Sequence, residues 1–106
     1  MNTTIITGAS DGIGAEMARQ LARQHGAQAA LVLAARNAEL LEAVAKQCAA
    51  LGAQVLVVPT DVSVQAQCRA LVEQTVQRFG RVDALINNAG ISAQALFSDV
   101  KAEDLA

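Results

Sequence analysis

The sequence predicts an α/β fold: a doubly wound parallel sheet in three α/β/α layers, running βαβαβαβ. Three observations predict it. Four short apolar runs alternate with three stretches of helical periodicity. A glycine-rich turn joins the first apolar run to the first helical stretch, and a glycine follows every helical stretch. The strand-like runs are apolar on both faces, as parallel strands covered by helices on each side must be. Crossovers between such strands are right-handed and cover both faces of the sheet.

The elements follow in order. The first strand spans Thr3–Thr7 and leads into the turn Gly8–Gly14. The first helix begins near Ile13, with Ile13, Met17 and Leu21 repeating every four residues and Ala18 and Ala22 widening the stripe. Gly26 stops it, leaving His25 in the last turn, where a basic side chain suits the helix dipole. The second strand is Ala30–Ala35, and Asn37 is a good N-cap for the second helix. Leu40, Leu41, Val44, Ala45, Cys48 and Leu51 form its expected buried face, and Gly52 ends it. The third strand is Gln54–Val58. Ser63 is the expected cap of the third helix, whose stripe is Cys68, Leu71, Val72, Val76 and Phe79 before Gly80. Ala84–Asn87 is the fourth strand. Beyond Gly90 the pattern becomes irregular, with a helix-starting pattern over 97–106 that Ser98 or Asp99 would cap.

Bulk properties narrow the function. A length of 106 residues gives one domain, 1–106. The net charge of −2 and the absence of Trp and Tyr argue against a nucleic-acid binder, which needs basic patches and stacking platforms. No apolar run reaches the roughly 18–20 residues that cross a bilayer, so no membrane association is expected. No basic segment precedes the first apolar run, so a signal peptide is not expected either. With two cysteines, both on apolar helix faces, the reading is a cytoplasmic protein with buried, reduced thiols. A single His gives no partner for a metal or catalytic pair.

Ligands of open parallel sheets sit at the carboxyl ends of the strands. Four segments converge there. The turn holding Gly8, Ser10, Asp11, Gly12, Ile13 and Gly14 follows a strand and opens a helix, which is the context a dinucleotide pyrophosphate requires. No Lys follows the final glycine, which disfavours an NTPase-type phosphate loop. At the end of the second strand stand Arg36 and Asn37, where an NAD site would place a carboxylate for the ribose hydroxyls. A guanidinium suits a 2′-phosphate instead, so NADP is expected over NAD; the alternative is a solvated helix-start residue. Past the third strand, Asp61 can accept from an adenine amino group while Val62 packs on the ring; the alternative is that Asp61 only assists the Ser63 cap. After the fourth strand, Asn87 is the expected brace between strand ends, with Asn88, Ala89 and Gly90 lining the ligand.

With these residues in place, the chain resembles the N-terminal part of a classical short-chain dehydrogenase/reductase. Thr7-Gly8-Ala9-Ser10-Asp11-Gly12-Ile13-Gly14 is similar to that family's TGxxxGxG cofactor motif, Asp61-Val62 to its adenine-contacting pair, and Asn87-Asn88-Ala89-Gly90 to its NNAG motif. Arg36 is similar to the basic residue that marks NADP preference in one subgroup. The similarity runs over residues 3 to 100.

The resemblance implies a Rossmann-type fold, present here as its N-terminal βαβαβαβ part. It also implies an NADP-dependent oxidoreductase acting on a small carbonyl or alcohol, and a homo-oligomer for the complete protein. The family's catalytic set resembles Asn–Ser–Tyr–Lys, and none of those positions can be assigned in this sequence. There is no Tyr, and Lys46 and Lys101 lie in helix-like surface patterns. The isolated chain is therefore expected to be inactive. Two other readings stand beside this one: a non-catalytic nucleotide-binding module, and a gene fragment without function. The fourth strand is expected to present an uncovered apolar edge.

Overall fold

Residues 1–88, the part that the computed structural model describes, form β1 (Asn2–Thr7), α1 (Gly12–His25), β2 (Ala29–Ala35), α2 (Ala38–Ala50), β3 (Gln54–Pro59), α3 (Gln65–Phe79) and β4 (Ala84–Asn87). A 3-10 turn over Gly26–Gln28 joins α1 to β2. The expected helix-starting pattern over 97–106 lies outside the described residues.

The strands pair in parallel in the order β3-β2-β1-β4. The chain builds outward from β1 through β2 to β3, then crosses back to lay β4 on the other side of β1. That reversal makes the carboxyl ends of β1 and β4 the topological switch point of the sheet.

Strand alternation sorts the core into two layers. Ile6, Leu31 and Leu33 point to the face covered by α1 and α2, where they meet Ala15, Ala18, Ala22, Leu41, Val44 and Cys48. Ile5, Val32, Ala34 and Val58 point to the opposite face and meet Cys68, Leu71 and Val72 of α3. The three-layer α/β/α arrangement follows directly. Cys48 and Cys68 are buried, free thiols in different layers, with the sheet between them. Burial pushes both thiols above the usual range.

Three details differ from the expected elements. The buried face of α1 is Gly14, Ala15, Ala18 and Ala22, whereas Ile13 is 70% exposed. Small residues let α1 lie close to the sheet, and the larger apolar residues fall to its margin. In α2 the buried face is Leu41, Val44, Ala45 and Cys48, with Leu40 and Leu51 exposed. Leu40 sits one residue off that stripe, and Leu51 lies beyond the last helical residue. The cap of α3 is Val64, not Ser63. The Asp61 carboxylate takes both the Ser63 N–H and the Ser63 hydroxyl, and Val64 then supplies the carbonyl that accepts from Gln67 and Cys68. The helix stripe also includes buried Thr75, whose hydroxyl is satisfied by the Leu71 carbonyl.

β4 and β3 are the two outer strands of the described sheet, and Leu85 on β4 is 39% exposed. The entry of β4 is clamped to the start of β1. Thr3 N–H donates to Asp83 Oδ2 at 2.8 Å, and Asp83 N–H donates to the Thr3 carbonyl at 2.9 Å. Arg81 Nε donates to Asp83 Oδ1 at 2.8 Å.

The Thr3 N–H, and after it the Arg81 guanidinium, hold the Asp83 carboxyl below the usual carboxylate range. A group depressed in the folded state stabilises the fold above its unfolded pKa, and that contribution is lost as pH falls through the folded pKa. The urea midpoint should therefore fall more steeply between about pH 5 and pH 2 for the wild type than for Asp83→Asn. Parallel curves would remove Asp83 from the clamp.

Candidate functional site

The four strand ends are laced together where the sequence segments converge. Ala9 N–H donates to the Ala34 carbonyl at 3.2 Å, tying the turn after β1 to the end of β2. Thr60 N–H donates to the Ala35 carbonyl at 2.8 Å, tying the end of β3 to β2. The Thr7 hydroxyl ties β1 to β4: it donates to Asn87 Oδ1 at 3.0 Å, lies 3.5 Å from the Ile86 carbonyl, and accepts from Asn88 N–H at 3.0 Å. Asn87 is thus one half of the brace. The other half is Thr7, which sequence reasoning named as the strand end and the head of the glycine motif but not as a brace.

The turn itself depends on its glycines for two different reasons. Gly8 and Gly12 have φ of +65° and +57°, in the left-handed region that side chains avoid. Gly14 is ordinary helix, but a Cβ there would stand 2.1 Å from the Gly8 carbonyl oxygen and 3.0 Å from Asn88 Nδ2. Its role is close approach. The opposite holds at Gly12, where a Cβ would meet nothing within 4 Å.

Asp11 occupies the N-cap of α1 in extended conformation yet makes no side-chain bond to the helix. The first N–H groups of α1 thus receive no cap from this side chain, and a helix N-terminus in that state attracts an anion. α2 is different: its Asn37 cap accepts from Leu40 N–H at 3.0 Å.

Beside this turn lies a cleft of about 550 Å³ lined by Gly8, Ser10, Asp11, Ala35, Arg36, Asn37, Leu40, Thr60, Asp61, Val62 and Ser63. Its volume is in the range, about 300–1,000 Å³, of small-molecule and cofactor sites. The cleft brings together Gly8, Ser10, Asp11, Arg36, Asn37, Asp61 and Val62 from the sequence reading. Gly12, Ile13 and Gly14 lie outside its lining. Asn88 stands over the turn, its Nδ2 3.5 Å from the Gly8 carbonyl. Ala89 and Gly90 lie outside the described residues. Leu40 lines the cleft, although periodicity alone placed it in the core.

The charges around the cleft are fixed by short contacts. Asp61 Oδ1 accepts from the Ser63 hydroxyl at 2.6 Å and from Ser63 N–H at 3.0 Å. These bonds, with a smaller contribution from the Arg36 charge, hold the carboxyl below its usual range. Both fall on Oδ1, which sets the direction of Oδ2. Arg36 is exposed and carries no ion pair at contact distance among the described residues. No cluster of three or more His, Cys, Asp or Glu that could hold a metal occurs among the described residues. No described helix is long and apolar enough to cross a membrane.

The short chain dehydrogenase family model matches residues 2–106. The chain belongs to this family. It corresponds to the N-terminal, Rossmann-type part of the short-chain dehydrogenase fold. It is 46% identical to 11-beta-hydroxysteroid dehydrogenase A of Sesamum indicum, over 92% of this chain and 27% of that protein. Among solved structures it is similar to a metagenomic short-chain oxidoreductase in complex with NADP. The TM-score is 0.85 with 28% identity, covering 98% of this chain and 56% of that one. An alcohol dehydrogenase from the archaeon Thermococcus sibiricus, complexed with 5-hydroxy-NADP, matches with TM-score 0.74 and 37% identity over 80% of this chain and 35% of that one. The chain spans 26–39% of the length of the curated relatives it matches.

The two glycine roles separate experimentally. Gly14→Ala should cost about 1–3 kcal/mol in urea unfolding through overpacking, and should move the backbone amide resonances of Gly8 and Asn88. Gly12→Ala should cost about 1–2 kcal/mol through backbone strain, with resonance changes confined to its own turn. Undisturbed Gly8 and Asn88 in Gly14→Ala would refute the close-approach role.

Proposed function

We propose that this chain is the NADP(H)-binding part of an oxidoreductase that transfers hydride between a nicotinamide cofactor and a carbonyl or alcohol. The observation that carries the proposal is the placement of Arg36 and Asp61 around the same cleft as the uncapped turn of α1. The residues fit such a cofactor. The open space at Gly12 and the uncapped start of α1 suit the pyrophosphate. Arg36 suits a 2′-phosphate, having planar donors and no competing ion pair among the described residues. Asp61 keeps Oδ2 for the adenine amino group, and Val62, half-buried against the α3 layer, offers the ring an apolar contact. Asn37, Ser10 and Asp11 line the same cleft. We assign Ile13 to the pyrophosphate turn with its neighbouring glycines, and Asn88, Ala89 and Gly90 to lining the cofactor, on the family resemblance.

When bound, the nicotinamide ring supplies or receives the hydride. The residues named here bind and orient; none is a proton donor of the kind that carbonyl reduction needs. A second reading is a nucleotide-binding module, since the side chains that line the cleft bind and orient. On either reading we place the protein in the cytoplasm, in keeping with its two free, buried thiols, and expect the complete protein to form a homo-oligomer.

Two measurements test the proposal. In calorimetric titrations, Arg36→Ala should weaken NADP(H) by about 1.5–3 kcal/mol, the worth of a lost charged hydrogen bond, and leave NAD(H) nearly unchanged. Equal loss for both would remove Arg36 from 2′-phosphate recognition. The 106-residue chain mixed with NADPH and simple aldehydes or ketones should show no oxidation above background at 340 nm; turnover would place a proton donor within these residues.

A further inference from the structure

The bend that carries Asp61 and Val62 is held from beneath, by a residue that does not line the cleft. β3 ends at Pro59, so from Thr60 onward the chain leaves the strand ladder. Thr60 is still fixed on both sides, its N–H to the Ala35 carbonyl and its hydroxyl to the Val58 carbonyl at 2.8 Å. The next peptide has no such neighbour in the sheet. Its N–H, that of Asp61, donates instead to Gln67 Oε1 at 2.7 Å, a reach back of six residues from the first turn of α3. The adjacent Cys68 thiol donates to the Val62 carbonyl at 3.4 Å. Two consecutive residues of α3 thus grip two consecutive residues of the bend.

Gln67 is exposed and sits outside the cleft lining. Its side-chain oxygen nevertheless holds the N–H of the peptide that precedes the Asp61 Cα. Asp61 Oδ1 is already committed to Ser63, so the aim of Oδ2 follows from the position of that Cα and the plane before it. We propose that Gln67 is a positioning residue for cofactor recognition: by accepting from Asp61 N–H it aims the Asp61 carboxylate at the exocyclic amino group of the adenine ring. This rests on the reading of Asp61 as the adenine contact.

The test compares NADP+ with deamino-NADP+, in which the adenine amino group is replaced by oxygen. The ratio of the two dissociation constants reads the aim of Asp61. Loss of folded protein lowers both affinities together and leaves the ratio unmoved, so a merely structural role does not change it. The wild-type protein should prefer NADP+ by about tenfold or more, the value of a hydrogen bond to a carboxylate. Gln67→Met keeps the length of the side chain and removes the acceptor; it should cut the preference by about threefold or more. Gln67→Glu keeps an acceptor oxygen and should restore most of the preference. If the wild type does not discriminate between the two dinucleotides, the adenine contact itself is wrong and the inference goes with it. If the wild type discriminates and Gln67→Met retains the full ratio, the adenine contact stands and the positioning role of Gln67 is overturned.

Discussion

The contact on which the rest of this structure depends is the seating of Gly14 against the Gly8 carbonyl. A single methyl group there would overlap the carbonyl oxygen. With hydrogen in its place, the first turn of α1 descends onto the turn that follows β1. Everything else about α1 is consistent with that depth. Its sheet-facing residues are Ala15, Ala18 and Ala22, all nearly inaccessible, because no room remains for longer side chains. The volume of that layer comes instead from Ile6, Leu31 and Leu33 below and Leu41 and Val44 beside it. The same descent brings the start of α1, with its uncapped N–H groups, to the end of the sheet.

Around that seat, hydrogen bonds across strand ends replace what the ladders can no longer supply. The bonds from Ala9 to Ala34, from Thr60 to Ala35, and from Thr7 to the Asn87–Asn88 segment each join segments that are far apart in sequence. The Thr7 hydroxyl serves as donor and acceptor at once, which no apolar residue in that strand position could do. Loops held in this way inherit the rigidity of the sheet. Arg36 and Asp61 are therefore carried at fixed places around the cleft, although both lie outside regular strands.

Much of this was legible in the sequence because periodicity reports burial and glycine reports backbone conformation. The four strands and three helices and their parallel pairing in two core layers follow from those signals, and the family resemblance from the motifs at the strand ends. Convergence of the Gly8–Asp11 turn, Arg36–Asn37 and Asp61–Val62 on one cleft was legible from their positions at strand ends. What was not legible depends on side chains choosing between local partners. Ser63 reads as a helix cap until the Asp61 carboxylate is seen to take both of its donors. Ile13 reads as core because it repeats with Met17 and Leu21, yet the depth of α1 favours the alanine face. Leu40 shares a four-residue spacing with Val44 and still falls to the cleft side. Gln67 carries no pattern at all and Thr7 only its place at the head of the glycine motif; the contacts that give them their roles are created by the folded chain.

The order of the strands also has a consequence for synthesis. β1, β2 and β3 are consecutive and can assemble as soon as residue 59 has left the ribosome. The other edge of β1 has to wait for Ala84–Asn87, and with β1 to β3 already assembled their pairing closes the segment between β3 and β4, roughly two dozen residues, at an entropic cost of about 3 kcal/mol. The first strand made is therefore among the last to be fully paired. During translation its open edge, with buried Ile5 and Ile6, is the surface a nascent chain has most need to shield, and the Thr3–Asp83 clamp is the latch that ends that interval.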